Sequence, residues 1–394
     1  MTGPENDMVA SMTVPGLEGT AQTFKTGAIN MELDAKQGKS TVKAKLATPL
    51  SGNFQAQQFS FPAIVANFSF SAPDLPVKSL NGDLKGSAVA NLEKQNVQAN
   101  FSGKVADSSF KAKLGVVGFS KPAIGFDLDI DQLDVDRYLP PKQETKQPEA
   151  RQAETKQQEK PLDFSALKNL NANGSLRVGN LKAANVKAQL VRADLKAVGG
   201  KVEINPLSAN LYQGSANGNV AVNAVAIPVI SVKQDLKGIS IGPLLKDAMD
   251  YDALEGKGSV SLDVVTRGNT VTALKKALDG KAALNLADGA VKGINIAETI
   301  RNVKAKLGVL KGQQTQAADK AQKTDFTELK ASFLIKNGVA HNDDLSMKSP
   351  LLRLTGAGDI NIGEDSLNYL AKASVVESGK GQGGAELASL KGVT

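Results

Sequence analysis

His341 is the single histidine of a chain that contains no cysteine. Cys-His pairs, thiolate metal sites and multi-histidine metal sites are therefore excluded. A Ser-His-Asp triad would have to use His341, and the G-x-S-x-G nucleophile elbow is missing. The histidine lies in NGVAHNDD, just after an Asn-Gly turn signal, which is the setting of a surface residue. The run FDLDIDQLDVD at 126–136 places Asp127, Asp129 and Asp131 at alternate positions, as a calcium loop would begin. Counted from Asp127, however, the sixth and twelfth positions hold Gln132 and Tyr138, where an EF-hand needs glycine and glutamate. A strand with an acidic, solvent-facing parity is the expectation instead. GKGQGG at 379–384 matches G-x-G-x-x-G after ASVV, but no βαβ pattern surrounds it and no acidic residue about 20 positions on is available to hold a ribose. No G-x-x-x-x-G-K-[ST] loop exists, and the plentiful carboxylates point to no enclosed pocket. The residues that could do chemistry thus imply a non-enzymatic protein with no catalytic residue, cofactor or metal.

Stepping from these residues to the elements that carry them, residues 254–302 show both building habits of the chain. In SVSLDVVT, Val260, Leu262 and Val264 share one parity and Ser259, Ser261 and Asp263 the other, the alternation of a half-buried strand. TVTALKKALDG then spaces Val271, Leu274 and Leu278 by three and four before Gly280, as a short helix near 270–279 would. Ala282, Leu284 and Leu286 return to strand before Asp288-Gly289, a dipeptide that favours a tight hairpin turn. Further helices are expected at 242–251 and at 295–307, the latter from the stripe Ile296, Ile300, Val303 and Leu307.

Composition agrees with a sheet. Apolar residues make up 41% of the 394 positions but aromatics only 4%, with no tryptophan and 37 glycines, which suits many short strands joined by turns. The formal charge of +7 is spread as single lysines on strand faces, such as Lys43 and Lys45 or Lys111 and Lys113. Without a basic stripe interleaved with stacking aromatics, nucleic acid is not an expected partner. The segment PPKQETKQPEARQAETKQQEKP at 140–161 lacks Val, Leu, Ile, Met and aromatics, so it reads as a linker or exposed loop. This divides the chain into an N-terminal β segment at 1–139 and a C-terminal β region with short helices at 162–394. No apolar run is long enough for a transmembrane helix and no signal pattern opens the chain.

The expected fold class is mainly β: an elongated, curved antiparallel sheet with a few short helices, or alternatively a β-sandwich with helices on one face. One parity of the strands, comprising Phe126, Leu128, Ile130, Val260, Leu262, Val264, Leu284, Leu286, Leu352 and Leu354, needs cover. It lines a lipid-holding groove, or it is plain core beneath a second sheet or helices.

Several stretches carry a family resemblance: FDLDIDQLDVDRYLPP ahead of the polar linker, GGKVEINPLSANLYQGSANGNVAV, the run from Leu244 through Arg301, and TDFTELKASFLIKNGVAHNDDLSMKSPLLRLTGAGDINIG. In order and content they resemble the C-terminal region of the AsmA family, from roughly residue 80 onward. The resemblance implies a bacterial envelope protein, periplasmic in bulk and anchored to the inner membrane through a segment outside this chain, with the chain a fragment truncated at both ends. It also implies a role in outer membrane biogenesis, with phospholipid moving along an apolar β-groove. Phospholipid or another acyl-chain lipid, and envelope assembly proteins, are the implied partners.

Overall fold

The period-2 alternation becomes strand through most of the chain. The computed structural model describes residues 6–73, 76–77, 79–138, 159, 161–293, 323–350 and 352–376. Twenty strands form an open, predominantly antiparallel sheet accompanied by three short α-helices. No second sheet exists among the described residues, so the expected open sheet, and not the sandwich, is the architecture.

The chain separates into two compact units, one taking in β1–β10 and the other the residues from Pro206 onward. The first unit contains β1 (Asn6–Thr13), β2 (Leu17–Gly19), β3 (Phe24–Gln37), β4 (Ser40–Asn53), β5 (Gln58–Ser71), β6 (Ser79–Asn91), β7 (Asn96–Val105), β8 (Ser108–Val117) and β9 (Ala123–Asp134). From β3 to β9 these make an antiparallel meander, with β1 and β2 both paired to β3. A helical turn (Val135–Tyr138) and α1 (Ser165–Lys168) precede β10 (Ala172–Ala183), which lies parallel to β9. Parallel neighbours require a long connection, and the polar 140–161 segment lies within it; most of that segment is outside the described residues. β11 (Val186–Val198) and β12 (Lys201–Leu211) follow.

The second unit runs through β13 (Gly214–Asn223), β14 (Val229–Ser240), α2 (Ile241–Met249), β15 (Leu254–Arg267), α3 (Val271–Lys276), β16 (Asp279–Lys292), β17 (Lys323–Lys336), β18 (Val339–Lys348), β19 (Leu352–Asn361) and β20 (Ser366–Val375). Asn337-Gly338 makes the tight turn its composition implies, with both residues at positive φ (49° and 75°) between β17 and β18.

Asp288-Gly289 does not make a hairpin. It lies inside β16, where the register against β15 shifts between Glu255/Ala290 and Lys257/Ala287. The left-handed Asp288 (φ 48°) supplies the extra residue of a β-bulge, and a methyl at Gly289 would sit 2.5 Å from the Phe326 ring. The same conformational preference that makes a turn here admits an aromatic ring. α3 is also shorter than 270–279: Thr270 caps it by accepting from the backbone N–H of Ala273 (3.1 Å), and it ends at Lys276. Gly280, the expected cap glycine, is a β16 residue paired with Val264. The helix expected at 295–307 lies outside the described residues.

A hydrophobic core lies in the second unit. Ile239, Ile241, Leu286, Phe326, Leu329 and Met347 are buried together, with Leu244, Leu245, Leu254, Val260, Leu284 and Leu354 packed around them. Ile241, Leu244 and Leu245 stand at i, i+3 and i+4 of α2, the face a helix presents to a sheet. The helix stops at the left-handed Asp250 (φ 55°), whose N–H donates to the Lys246 carbonyl, while the Tyr251 N–H donates to the Leu245 carbonyl.

Candidate functional site

The residues considered for chemistry are occupied by structural roles. His341 Nδ1 pairs with Asp359 at 2.7 Å across β18 and β19, with both side chains about half exposed. Asp127 and Asp129 of β9 flank Arg177 of β10, whose Nε donates to Asp129 at 2.5 Å while a terminal nitrogen bonds Asp127. The Arg177 hydrogen bond holds the Asp129 carboxyl below the usual carboxylate range. Asp131 accepts from the backbone N–H groups of Ser109 and Gln132. The acidic run is therefore a polar strand face answered by an arginine some 50 residues away. Among the described residues no group of three or more metal-ligating side chains comes together.

The opposite parity of the first unit is a continuous apolar face. Gly86, Phe101, Ala112, Leu128 and Leu176 are successive cross-strand neighbours from β6 to β10. Ala88, Ala99, Leu114, Phe126 and Gly174 form the row beside them, and Leu84, Gly103, Phe110, Ile130 and Val178 the row on the other side. The rows extend across β5 to β1, where Met12, Met31, Leu46 and Ala66 continue the line of Leu84.

Aromatic rings lie against glycines of the adjacent strand. A methyl at Gly82 would meet the Phe68 ring at 2.5 Å, at Gly86 the Phe101 ring at 2.5 Å, and at Gly174 the Phe126 ring at 2.6 Å. Rings laid down in this way cover backbone while leaving one π-face outward. Phe126, Leu128 and Ile130 are half-buried, while Met8, Met12, Met31 and Leu114 on the same face are 72%, 58%, 38% and 41% exposed. A described helical turn, Val135–Tyr138, packs against β10.

The remaining seven apolar residues singled out in the sequence belong to the second unit. Val260, Leu284 and Leu354 pack on the α2-covered cluster, in which Leu286 is buried. Leu262 and Val264 join Ile335, Leu278, Ile360 and Ile362 in a neighbouring cluster, and Leu352 is 1% exposed. Here helix and loop residues supply the cover. The sequence signal that separates the two cases is the interruption of the meander by GPLLKDAM between β14 and β15; the first unit's hairpins contain no such insertion.

A polar knot around one buried residue of the second unit, Asn342, escaped sequence reasoning. Asn342, 1% exposed, donates through Nδ2 to the Ser332 carbonyl (2.8 Å) and to Asp344 (2.7 Å), and its Oδ1 accepts from the Tyr369 hydroxyl. Asp344 also accepts from the Ser332 N–H (2.8 Å) and Oγ–H (2.6 Å). The knot fills the register shifts that β18 makes with β17 and β19, so its polar atoms replace ladder bonds lost at the bulges.

A family model described as the AsmA family matches residues 6–345. The chain belongs to the AsmA family. Protein AsmA of Escherichia coli (strain K12) is 24% identical over 358 residues, which cover 86% of this chain and 57% of that protein. This AsmA-family chain therefore spans a little over half the length of that relative. No helix among its described residues is long and apolar enough to cross a membrane.

Proposed function

We propose that this AsmA-family chain acts without catalysis in a bacterial envelope, on the periplasmic side of an inner membrane to which the full-length protein is anchored. It contributes to outer membrane biogenesis by holding or passing phospholipid, its acyl chains lying against the apolar face of the first unit. The observation that supports this reading is the face itself: apolar residues run in register across β1 and β3–β9 with no described helix or second sheet over them, the Val135–Tyr138 turn packing on β10, where Val178 is 2% exposed. Exposed apolar patches beyond a few hundred Å² are uncommon on proteins unless they meet a partner or ligand. Flat-lying Phe101 and Phe126, with flexible Met12 and Met31, offer a surface on which a methylene chain can lie without a shaped pocket. Phe126, Leu128 and Ile130 are the members of the predicted groove set that lie on this face; the other seven form the core of the second unit.

A native mass spectrum of the purified chain tests the proposal. Bound phospholipid is expected on the wild type and on the control Lys281→Asp, and is expected to disappear from Phe101→Asp/Leu128→Asp. A wild type that carries no lipid, or a double variant that retains it, sinks the reading.

One observation favours a second role, as a scaffold for envelope assembly proteins. β1 pairs with β3 alone among the described residues, and Met8, Val9 and Met12 on it are more than half exposed. An unpaired edge of eight residues is a template for strand addition. That role requires cross-links from β1 to a defined protein that survive the Phe101→Asp/Leu128→Asp change.

A further inference from the structure

The two ends of the first unit's meander differ in character. At one end the connections are residues 54–57, 92–95 and 118–122, and each places an apolar side chain outward: Phe54 is 50% exposed, Leu92 45% and Phe119 45%. At the other end the two tight turns, β3–β4 and β7–β8, are Gly38-Lys39 and Ala106-Asp107 with no large apolar group, while the β5–β6 connection there carries half-buried Val77 and the helical turn after β9 carries Tyr138, 37% exposed. We infer that the apolar-tipped end is a membrane-contact rim, which rests the edge of the sheet on a phospholipid surface.

The tips are built to hold their positions. Asn53 and Asn91 each close their own loop, Oδ1 accepting from the N–H three residues on, Ala56 at 2.9 Å and Lys94 at 2.8 Å. The left-handed residues Gln57 and Gln95, both at φ 49°, return the chain to the next strand. Each loop is then bonded to the next. Phe54 N–H donates to the Ala21 carbonyl (3.0 Å), Leu92 N–H to Gln57 (2.9 Å), and Gly118 N–H to Gln95 (2.8 Å). Phe119 N–H donates to the Gln95 side chain at 3.1 Å. This bonded rim fixes the backbone and leaves Leu92 and Phe119 each 45% exposed, while Phe54 also stacks on the core residue Phe24.

The spacing favours a bilayer over a protein partner. Successive tips are two strands apart, roughly 10 Å, and polar Gln55, Gln57, Glu93, Lys94, Gln95 and Ser120 lie between them. A protein interface concentrates its affinity in a contiguous, dry centre, which isolated anchors do not provide. Each anchor can instead sink separately into the interfacial layer of a bilayer. Lys94 and Lys121 are exposed on the same loops, two cations against the single carboxylate of Glu93, and lysines so placed reach up to anionic headgroups. This inference does not depend on acyl chains occupying the sheet face.

The absence of tryptophan from the chain makes the test direct. Leu92→Trp and Phe119→Trp each introduce a single reporter, and Lys39→Trp reports from the opposite end. With vesicles of phosphatidylethanolamine and phosphatidylglycerol, emission from positions 92 and 119 is expected to shift to the blue and to be quenched by brominated acyl chains, while position 39 stays unmoved. Co-sedimentation with the same vesicles is expected to fall at least about tenfold in Leu92→Ser/Phe119→Ser, the loss of two half-buried anchors, with an unchanged melting temperature. Phe54 is left intact because it stacks on buried Phe24 at 4.2 Å. Equal shifts at 39 and 92, no shift at either tip, or a double variant that sediments like wild type would each overturn the rim. Phospholipid carried through purification, read by native mass spectrometry of the same double variant, reports on the sheet face and not on the rim, so the two readings fail separately.

Discussion

In the second unit the apolar parity of β15–β17 is closed by α2 and by Leu278 after α3, whereas in the first unit the apolar parity of β3–β9 has no described helix over it. Both faces arise from the same period-2 alternation, and strand pattern alone does not decide between core and open surface. The deciding elements are short. Nine residues between β14 and β15 turn the strand ends into a helix whose Ile241, Leu244 and Leu245 fill the space above Leu286. Phenylalanine laid on glycine occurs on both faces: Phe326 on Gly289 among the leucine, isoleucine and methionine beneath α2, and Phe68, Phe101 and Phe126 on Gly82, Gly86 and Gly174 on the open face.

The largest expected contrast comes from making the same truncation on each face. Leu286→Ala removes a side chain that is 1% exposed and leaves a cavity under α2, an expected cost of about 3 kcal/mol. Leu128→Ala removes a half-buried side chain with no described element above it to hold a cavity open, so about 1 kcal/mol is expected. Hydrogen exchange read on β16–β17 and on β8–β9 separates the two units. Equal losses of protection would mean that the first unit's face is as enclosed as the second's.

A smaller effect belongs to the polar knot of the second unit. Hydrogen bonds from Ser332, first from its side chain and then from its backbone, hold the Asp344 carboxyl below its ordinary value of 3.8. A carboxyl lowered by folding adds stability that is fully present above that ordinary value and is lost as pH falls through the lower folded one. The melting advantage of wild type over Asp344→Asn is therefore expected to be constant near neutrality and to shrink below about pH 3.8. An advantage that persists unchanged into stronger acid would assign it to shape and not to charge.

The legible part of the molecule was the part governed by local pattern. Alternation located strands such as SVSLDVVT, and the turn preference of Asn337-Gly338 located a hairpin. Asp288-Gly289 was misjudged because a left-handed Asp followed by Gly serves a bulge as well as a turn, and the choice was made by Phe326 on a strand more than 30 residues later. Arg177 as the partner of Asp127 and Asp129 could not be read at all, since the parallel pairing of β9 with β10 crosses a long polar connection. The burial of Asn342 beside His341 in the polar stretch NGVAHNDD had no sequence signal, because burial at a bulge depends on the register shifts of three strands. The groove set of ten residues was chosen by parity; parity carries no information about what lies above a sheet, so it merged an open face with a helix-covered core.

The smallest expected effect tests the polar side of the same comparison. Arg177 joins Asp127 and Asp129 on the solvent-facing parity of the first unit, with side chains 42%, 39% and 48% exposed. Water already solvates all three groups, so Arg177→Ala is expected to lower the melting temperature only slightly. Lys111 and Lys113 stand opposite Asp129 and Asp127 in the β8–β9 register and can take over the carboxylates when the guanidinium is gone. A thermal double-mutant cycle of Arg177→Ala with Asp129→Asn, run at low and at high salt, measures the coupling. A small coupling that salt diminishes fits an exposed cross-strand network. A large coupling that is indifferent to salt would mean that β9 and β10 are sheltered from water on their polar side, in which case the first unit would resemble the second more closely than its open apolar face indicates.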